Sequence, residues 1–383
     1  MRKIPALVAL VAAAALALSS SAAASATGVA SKKAPAPRVW STEVGAPFSL
    51  AVDGKRVLVA DGGTGAISQL QRDGSLEPLV EGVPDLAGLA VRGGWMAYGS
   101  TVVDEASGTH TAAGLNIRSP RGDTVYADIL GYEESNNPDG AVHYGVENPS
   151  ACVAEAFNAA GFPVDYTGIV DAHPYSVASW HGKWLVADAG SNAIYTVTDS
   201  GRVSTLAVLP AQSATITAEA AAMFGMPDCV IGVSYAFEAV PTSVTIGRND
   251  AILVSTLPGG PEDSSLGARG AVWEVNPRTG AVKSVASGLA APTSIAAGKD
   301  AVYVAEFGAG RISKVRDGEV SQVVSLPGAL SVATGSDGTL WAATMASESG
   351  SGSIVSISGG KVKVQGHWHD GGHRDRGNGG GHR

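Results

Sequence analysis

Two cysteines, Cys152 and Cys229, are all that the 383 residues contain, and only 16% of the chain is charged. So few thiols exclude a multi-cysteine zinc site. In an oxidising exterior an even pair predicts one disulfide, with two free thiols or a metal pair as the alternatives. Cations are also scarce, with 26 Lys and Arg against 35 Asp and Glu. That balance excludes nonspecific nucleic-acid binding, which needs a basic surface to displace counterions. Past residue 18 no long apolar run appears, so no membrane span is expected. The low charge does not mean disorder, because 45% apolar residues are enough to bury a core. The 50 glycines suit an all-β chain with many turns.

The first residues have the form of an export signal. Arg2 and Lys3 precede an apolar stretch from Ile4 to Leu18, and Ala24-Ser25-Ala26 is a small-residue cleavage site. We therefore read 1–26 as a signal peptide and 27–38 as a linker. Losing the two cations takes 26 basic residues to 24 against 35 acidic ones, a net charge of −11. No cysteine follows the apolar stretch, which disfavours a lipid anchor. A secreted, monomeric protein is the expectation.

The rest of the chain repeats itself. "PFSLAVDGKRVLVADGGTGAISQL" from Pro47 recurs as "PYSVASWHGKWLVADAGSNAIYTV" from Pro174 and as "PTSIAAGKDAVYVAEFGAGRISKV" from Pro292. Looser copies begin at Pro241 and Ala329, and the weakest at Gly88. Each reads as strand, tight turn, strand, Gly-rich turn, strand, with short β-branched runs such as Val57-Leu58-Val59. Asp53-Gly54, Asp73-Gly74, Asp317-Gly318 and Asp337-Gly338 mark the turns, where glycine takes positive φ at little cost. Four strands recurring at about 40–50 residues are the signature of a propeller blade. Six copies predict an all-β, six-bladed β-propeller over 39–366. Its last blade closes either with a strand at Lys361–Gln365 or with one borrowed from Val39–Val44.

Repetition changes the meaning of the polar residues. Asp61, Asp188 and Glu306 share one position, ahead of a glycine-containing turn whose N–H groups a carboxylate can accept. They read as structural turn acids. Ser49, Ser176, Ser243, Ser294 and Ser331 share another, at the start of each first strand. They are candidates for a ring at the channel mouth, or else small residues where backbones crowd. His173 has no counterpart in other copies. Asp171 has one in Glu238, each three residues before a blade-opening proline. Asp171, His173 and Glu238 are the candidate ligand-binding set.

Two connections break the period, at about 131–172 and 210–240. In the first, Pro149 and Ser150 open a predicted helix carrying Cys152; in the second, "ITAEAAAMFGMPDCV" predicts a helical stretch ending near Cys229. They precede the third and fourth blades, so both are expected on one face, as two short helical insertions tied by a Cys152–Cys229 bridge. Closing so long a loop contributes on the order of 3–5 kcal/mol in the loop-entropy model. Ordered insertions on a rigid scaffold are where function concentrates. A third extension, Leu257–Val275, reads as a solvated hairpin tip, with a calcium or ligand loop around Glu262 and Asp263 as the alternative. The Gly-rich tail 367–383 is expected to be disordered; its His367, His369, His373 and His382 are candidate loose metal ligands.

With these strings in view, "HPYSVASWHGKWLVADAGSNAIYTV", "YAFEAVPTSVTIG" and "TLPGGPEDSSLGARGAVWEVNPRTG" resemble the ScyD/ScyE family, especially its actinobacterial members. The resemblance spans nearly all of 40–360, including both cysteine-bearing insertions. The bare "VADAG" unit is shared with NHL-type propellers and is not specific. Membership implies an exported six-bladed propeller, and the family is named for genes associated with scytonemin, a sunscreen pigment made outside the cytoplasm. It carries over no catalytic residue.

Three functions follow as expectations. The first is a non-enzymatic extracellular binding or scaffold protein with a small molecule or protein as partner. The second is an exported lactonase-, esterase- or lyase-like enzyme holding a divalent metal at the channel mouth. The serines standing at the blade openings are poor primary ligands for such an ion, so this reading requires Asp171, His173 and Glu238 to converge. The third is metal binding by the tail. No cofactor is firmly implied; a divalent metal is the one candidate.

Overall fold

A computed structural model describes residues 36–261, 263–346 and 351–357. The predicted signal peptide, most of the linker, Lys361–Gln365, the tail with His367, His369, His373 and His382, and Glu262 lie outside the described residues.

The chain forms an all-β, six-bladed β-propeller, each blade a four-stranded antiparallel sheet. The innermost strands are Pro47–Asp53, Leu89–Arg92, Pro174–Trp180, Pro241–Ile246, Pro292–Ala297 and Ala329–Thr334, each packed beside the next around a ring. Blade 6 takes its outermost strand from the start of the propeller: Arg38–Val44 pairs antiparallel with Gly352–Ile357. Trp40 Nε1 donates to Ser356 Oγ at 2.9 Å, and its ring meets Trp341 at 5.5 Å. The first and last strands of the propeller thus fasten the ring with backbone hydrogen bonds.

Strand alternation explains the stacking. In Lys183–Asp188, Trp184 and Val186 point towards Leu115 and Ile117 of blade 2, whereas Leu185 and Ala187 point towards Val244 and Val254 of blade 4. Trp184, Leu185, Val186 and Ala187 are all fully buried. Both faces of a middle strand are therefore core, which is why these runs read as continuously apolar rather than alternating.

The two insertions do more than supply helices. The first begins with α1 (Ile129–Asn136), capped by Asp128, and continues through α2 (Ala151–Ala160), capped by Ser150 as the Pro-Ser pair predicts. The second carries α3 (Ala218–Met223) and a 3₁₀ turn at Asp228–Val230. Between them they build a seventh four-stranded sheet, in the order Asp165–Thr167, His143–Gly145, Ser234–Phe237, Gln212–Thr215. A Cys152–Cys229 disulfide joins α2 to the 3₁₀ turn across 77 residues. The sequence pointed to α2, α3 and the bridge but not to α1; the shared sheet is invisible in a blade-by-blade reading, because its strands are only three or four residues long. Its core is its own, with Phe157, Ile216, Tyr235 and Phe237 in one cluster.

Candidate binding site

Polar residues that repeat from blade to blade hold the ring together. Asp61 accepts from the backbone N–H groups of Gly45 (2.8 Å), Ala46 (2.8 Å) and Gly63 (3.0 Å). Asp188 accepts from His173 N, Ser191 N and Ser191 Oγ at 2.9–3.0 Å. Glu306 accepts from Ala290 N at 2.8 Å and from Arg311 Nε at 2.7 Å. Each carboxylate ties the end of a second strand to the segment that opens its own blade. The serines tie one blade to the next: Ser49, Ser176, Ser243 and Ser294 accept from Leu89 N, Val244 N, Ile295 N and Val332 N at 3.1–3.2 Å. These four also line a central channel of about 190 Å³. Ser331 is buried, and its hydroxyl has no partner among the described residues.

The unrepeated residues divide between two places. His173 Nε2 lies 3.1 Å from Asp85, and its ring meets Tyr175, which lines the channel, at 5.7 Å. Burial disfavours the charged form of Asp85, but the bond and charge of His173 outweigh it and hold the carboxyl below its ordinary pKa. His110 faces His173 at 5.6 Å between ring centres and bonds through Nδ1 to Asp171 Oδ1 at 2.6 Å. Burial opposes a charged His110 ring; Asp171 overcomes it, and the His110 pKa stands above its ordinary value. The hairpin Trp95–Asp104/Thr109–Arg118 of blade 2 carries His110 across to blade 3. Sequence reading missed His110 and Asp85; the ten-residue strands of an otherwise short-stranded repeat were the available signal.

Asp171 and Glu238 do come together, as walls of one cavity of about 280 Å³ between the insertions and the ring. Most of that wall is apolar: Phe157, Phe162, Tyr235 and Phe237 from the cap, with Phe224 and Ile169 at its exposed mouth. Phe157 stacks on Tyr235 at 5.2 Å, and Tyr235 tilts against Phe237 at 4.5 Å. Leu257–Val275 does not stand free as a hairpin tip. Gly259, Gly260 and Pro261 form one wall, while Asp263 caps the following turn by accepting from Ser265 N at 2.6 Å. A Cβ at Gly260 would come within 2.4 Å of the Phe237 ring at a φ of +92°, so only glycine permits this approach.

Glu238 is the most consequential polar group in the cavity. Tyr166 OH donates to its Oε1 at 3.1 Å. Burial raises its pKa and the charges of Asp139 and Asp171 add to the rise; Tyr166 and Asn192 oppose them, leaving it pushed up to about 7. Behind it lies a buried acid network. Asp139 accepts from Tyr144 OH and Asn192 Nδ2, both at 3.0 Å. Tyr195 OH lies 2.7 Å from Glu133 Oε2 and 2.8 Å from Ser191 Oγ, and Ser191 donates to Asp188. Burial chiefly, with the charges of Asp188 and Asp139, pushes Glu133 up to about 8. Among the described residues no three His, Cys, Asp or Glu side chains converge on a metal-binding geometry. Asp171 and Glu238 share the cavity; His173 instead faces Asp85 and Tyr175.

No family model matches the chain, and no curated protein matches it in sequence. Solved structures share its fold. A gluconolactonase from Xanthomonas campestris is 9% identical with a TM-score of 0.52, covering 83% of this chain and 88% of its own. A putative oxidoreductase (glucose dehydrogenase) from Thermus thermophilus is 14% identical with a TM-score of 0.52, covering 85% and 100%. A protein of unknown function from Bacteroides thetaiotaomicron is 11% identical with a TM-score of 0.51, covering 84% and 72%. At such identities the likeness carries the propeller fold alone.

Proposed function

We propose that this protein is an exported, non-enzymatic binding propeller of the ScyD/ScyE type, which takes a small, largely apolar molecule into the cavity beneath its disulfide-tied cap. One observation carries this reading: the cavity is the place where the chain departs from its own repeat, and its walls are aromatic. Concave, mostly apolar sites with a few convergent polar groups are the usual form of a small-molecule site. The mouth residues Phe224 and Ile169, left 38% and 47% exposed, extend the apolar surface outward and suit an occupant that reaches past the rim. Titration with Nile red, a neutral apolar fluorophore, tests the reading. One saturable site per chain, weakened several-fold by Phe224→Ala, is expected; no saturable binding overturns it.

An enzymatic reading rests on Glu238, a carboxyl pushed up to about 7 at a cavity wall and suited to proton transfer near neutral pH. The gluconolactonase likeness makes lactones and esters the substrates to try. Turnover abolished by Glu238→Gln would establish this reading; flat rates across the panel end it.

A further inference from the structure

Resting on that binding reading, we infer that the cavity selects an organic cation: an aromatic or aliphatic body carrying a protonated amine, seated with the amine on Glu238. Three observations lead there. The aromatic walls provide faces, and a cation near such faces is attracted by their quadrupoles. The charged side chains that line the cavity are carboxylates, Asp171 and Glu238, while the hydroxyls of Tyr166 and Tyr235 already donate to Glu238 and Pro163 O. Asp171 is already paired with His110 at 2.6 Å, so the acceptor left to a ligand is Glu238, whose bond from Tyr166 is a neutral one.

The surroundings sharpen the choice of charge. The groups acting on Glu238 are Tyr166, Tyr235 and Asn192, all neutral, and Asp139 and Asp171, both acids. Arg269 is the nearby cation, but it lies behind the wall: it donates to Gly259 O and Pro261 O at 2.9 Å each and stacks over Phe237 at 4.6 Å. An ammonium group would meet carboxylate and aromatic faces and relieve the mutual repulsion of the acids. A carboxylate ligand would meet that repulsion directly. A neutral hydroxyl would gain a hydrogen bond without the added attraction of opposite charge. Because burial, with the charges of Asp139 and Asp171, keeps Glu238 partly protonated near neutrality, seating a cation displaces a proton.

A matched series isolates the charge: tryptamine, tryptophol and indole-3-propionate share the indole and differ in the tail. Calorimetry at low salt is expected to show tryptamine about tenfold tighter than tryptophol, with indole-3-propionate weakest. Glu238→Gln should remove the preference for the amine while keeping the affinity for tryptophol. In buffers of different ionisation enthalpy at about pH 6, below the raised carboxyl, tryptamine binding should release protons and tryptophol binding should not. Equal affinity for amine and alcohol, or a preference for the carboxylate, overturns the inference. If Nile red and tryptophol bind with no charge preference, only this inference falls; if none of the compounds binds, the binding reading falls with it.

Discussion

The ring and the cap use the same residue types for opposite ends. In the ring, Asp61 and Glu306 are saturated with donors from the segments they hold, and Ser243 and Ser294 each accept an N–H from the next blade. In the cap, Glu238 and Asp171 face a cavity, and Glu133 and Asp139 each keep a buried oxygen without a partner among the described residues. A polar residue that recurs from blade to blade is, Ser331 and one oxygen of Asp188 apart, tied up in closing the ring. One that breaks the pattern is left with capacity to spare, and capacity facing an apolar cavity is what a ligand can use.

The sharpest way to separate the two regions is to open the disulfide. Its 77-residue span, which encloses blade 3 as well as parts of both insertions, corresponds to about 4 kcal/mol of loop entropy. Cys152→Ser with Cys229→Ser should abolish Nile red binding and weaken near-ultraviolet signals from Phe157, Tyr235 and Phe237. Far-ultraviolet β-signal and the main unfolding transition should persist. If both regions melt together at a lower temperature, the cap is not a separable unit. The complementary change, Asp61→Ala, strands three backbone donors and should cost the ring on the order of 3 kcal/mol, read by denaturant unfolding. Ligand affinity of the folded fraction should stay unchanged.

A pH titration tests the comparison by sign. Glu238 stands at about 7 in the folded protein against an ordinary 4.5. The folded state therefore keeps a proton that the unfolded chain loses, and stability present below pH 4.5 is lost as pH rises through 7. Across roughly pH 5 to 8 this amounts to about 2 kcal/mol, and Glu238→Gln should remove that share of the slope. Glu133, at about 8, acts in the same direction and extends the loss to higher pH. A group of the ring behaves oppositely: Glu306 is buried, but its bonds with Arg311, Ser313 and Ala290 N hold its pKa below the ordinary value. Its contribution is present above pH 4.5 and is lost only on acidification. Stability that rises from about pH 5 to 8 would contradict the assignment of uncompensated acids to the cap.

How much of this was legible in the sequence follows the same division. The ring was readable because three blades restate it in full, as Pro-x-Ser, a β-branched run, an acid and a glycine turn, and the other three restate it in part. The closure at Val44 and Gly352 was one of two readings left open, since strand pairing between distant segments leaves no local mark. Cys152 and Cys229 placed the insertions together, and Asp171 and Glu238 stood out by their matching offset from a proline. Tyr166, Asn192, Glu133 and His110 did not. Their roles depend on loops meeting across 48 to 72 residues, and no periodicity encodes such meetings. His173 was grouped with the two acids as an unrepeated residue at a blade opening, whereas its side chain turns to Asp85 and Tyr175.

The smallest expected effect is the most exacting, because it lies within the ring itself. Ser243 and Ser331 hold equivalent positions, both buried, at 5% and 0% exposure. Ser243 Oγ accepts from Ile295 N at 3.1 Å, whereas Ser331 Oγ has no partner. Ser243→Ala removes the acceptor and leaves a buried N–H, at a cost of about 1 kcal/mol. Ser331→Ala removes a hydroxyl that is desolvated with no bond in return, so it should be neutral or stabilising by up to about 1 kcal/mol. Parallel urea melts of the two variants decide the matter. Equal losses at both positions would mean that the serine acts by size and not as a latch. A gain at Ser331 beside a loss at Ser243 ties the repeated serine to the N–H of the neighbouring blade, and locates the weakest latch at the seam where blade 6 meets blade 1.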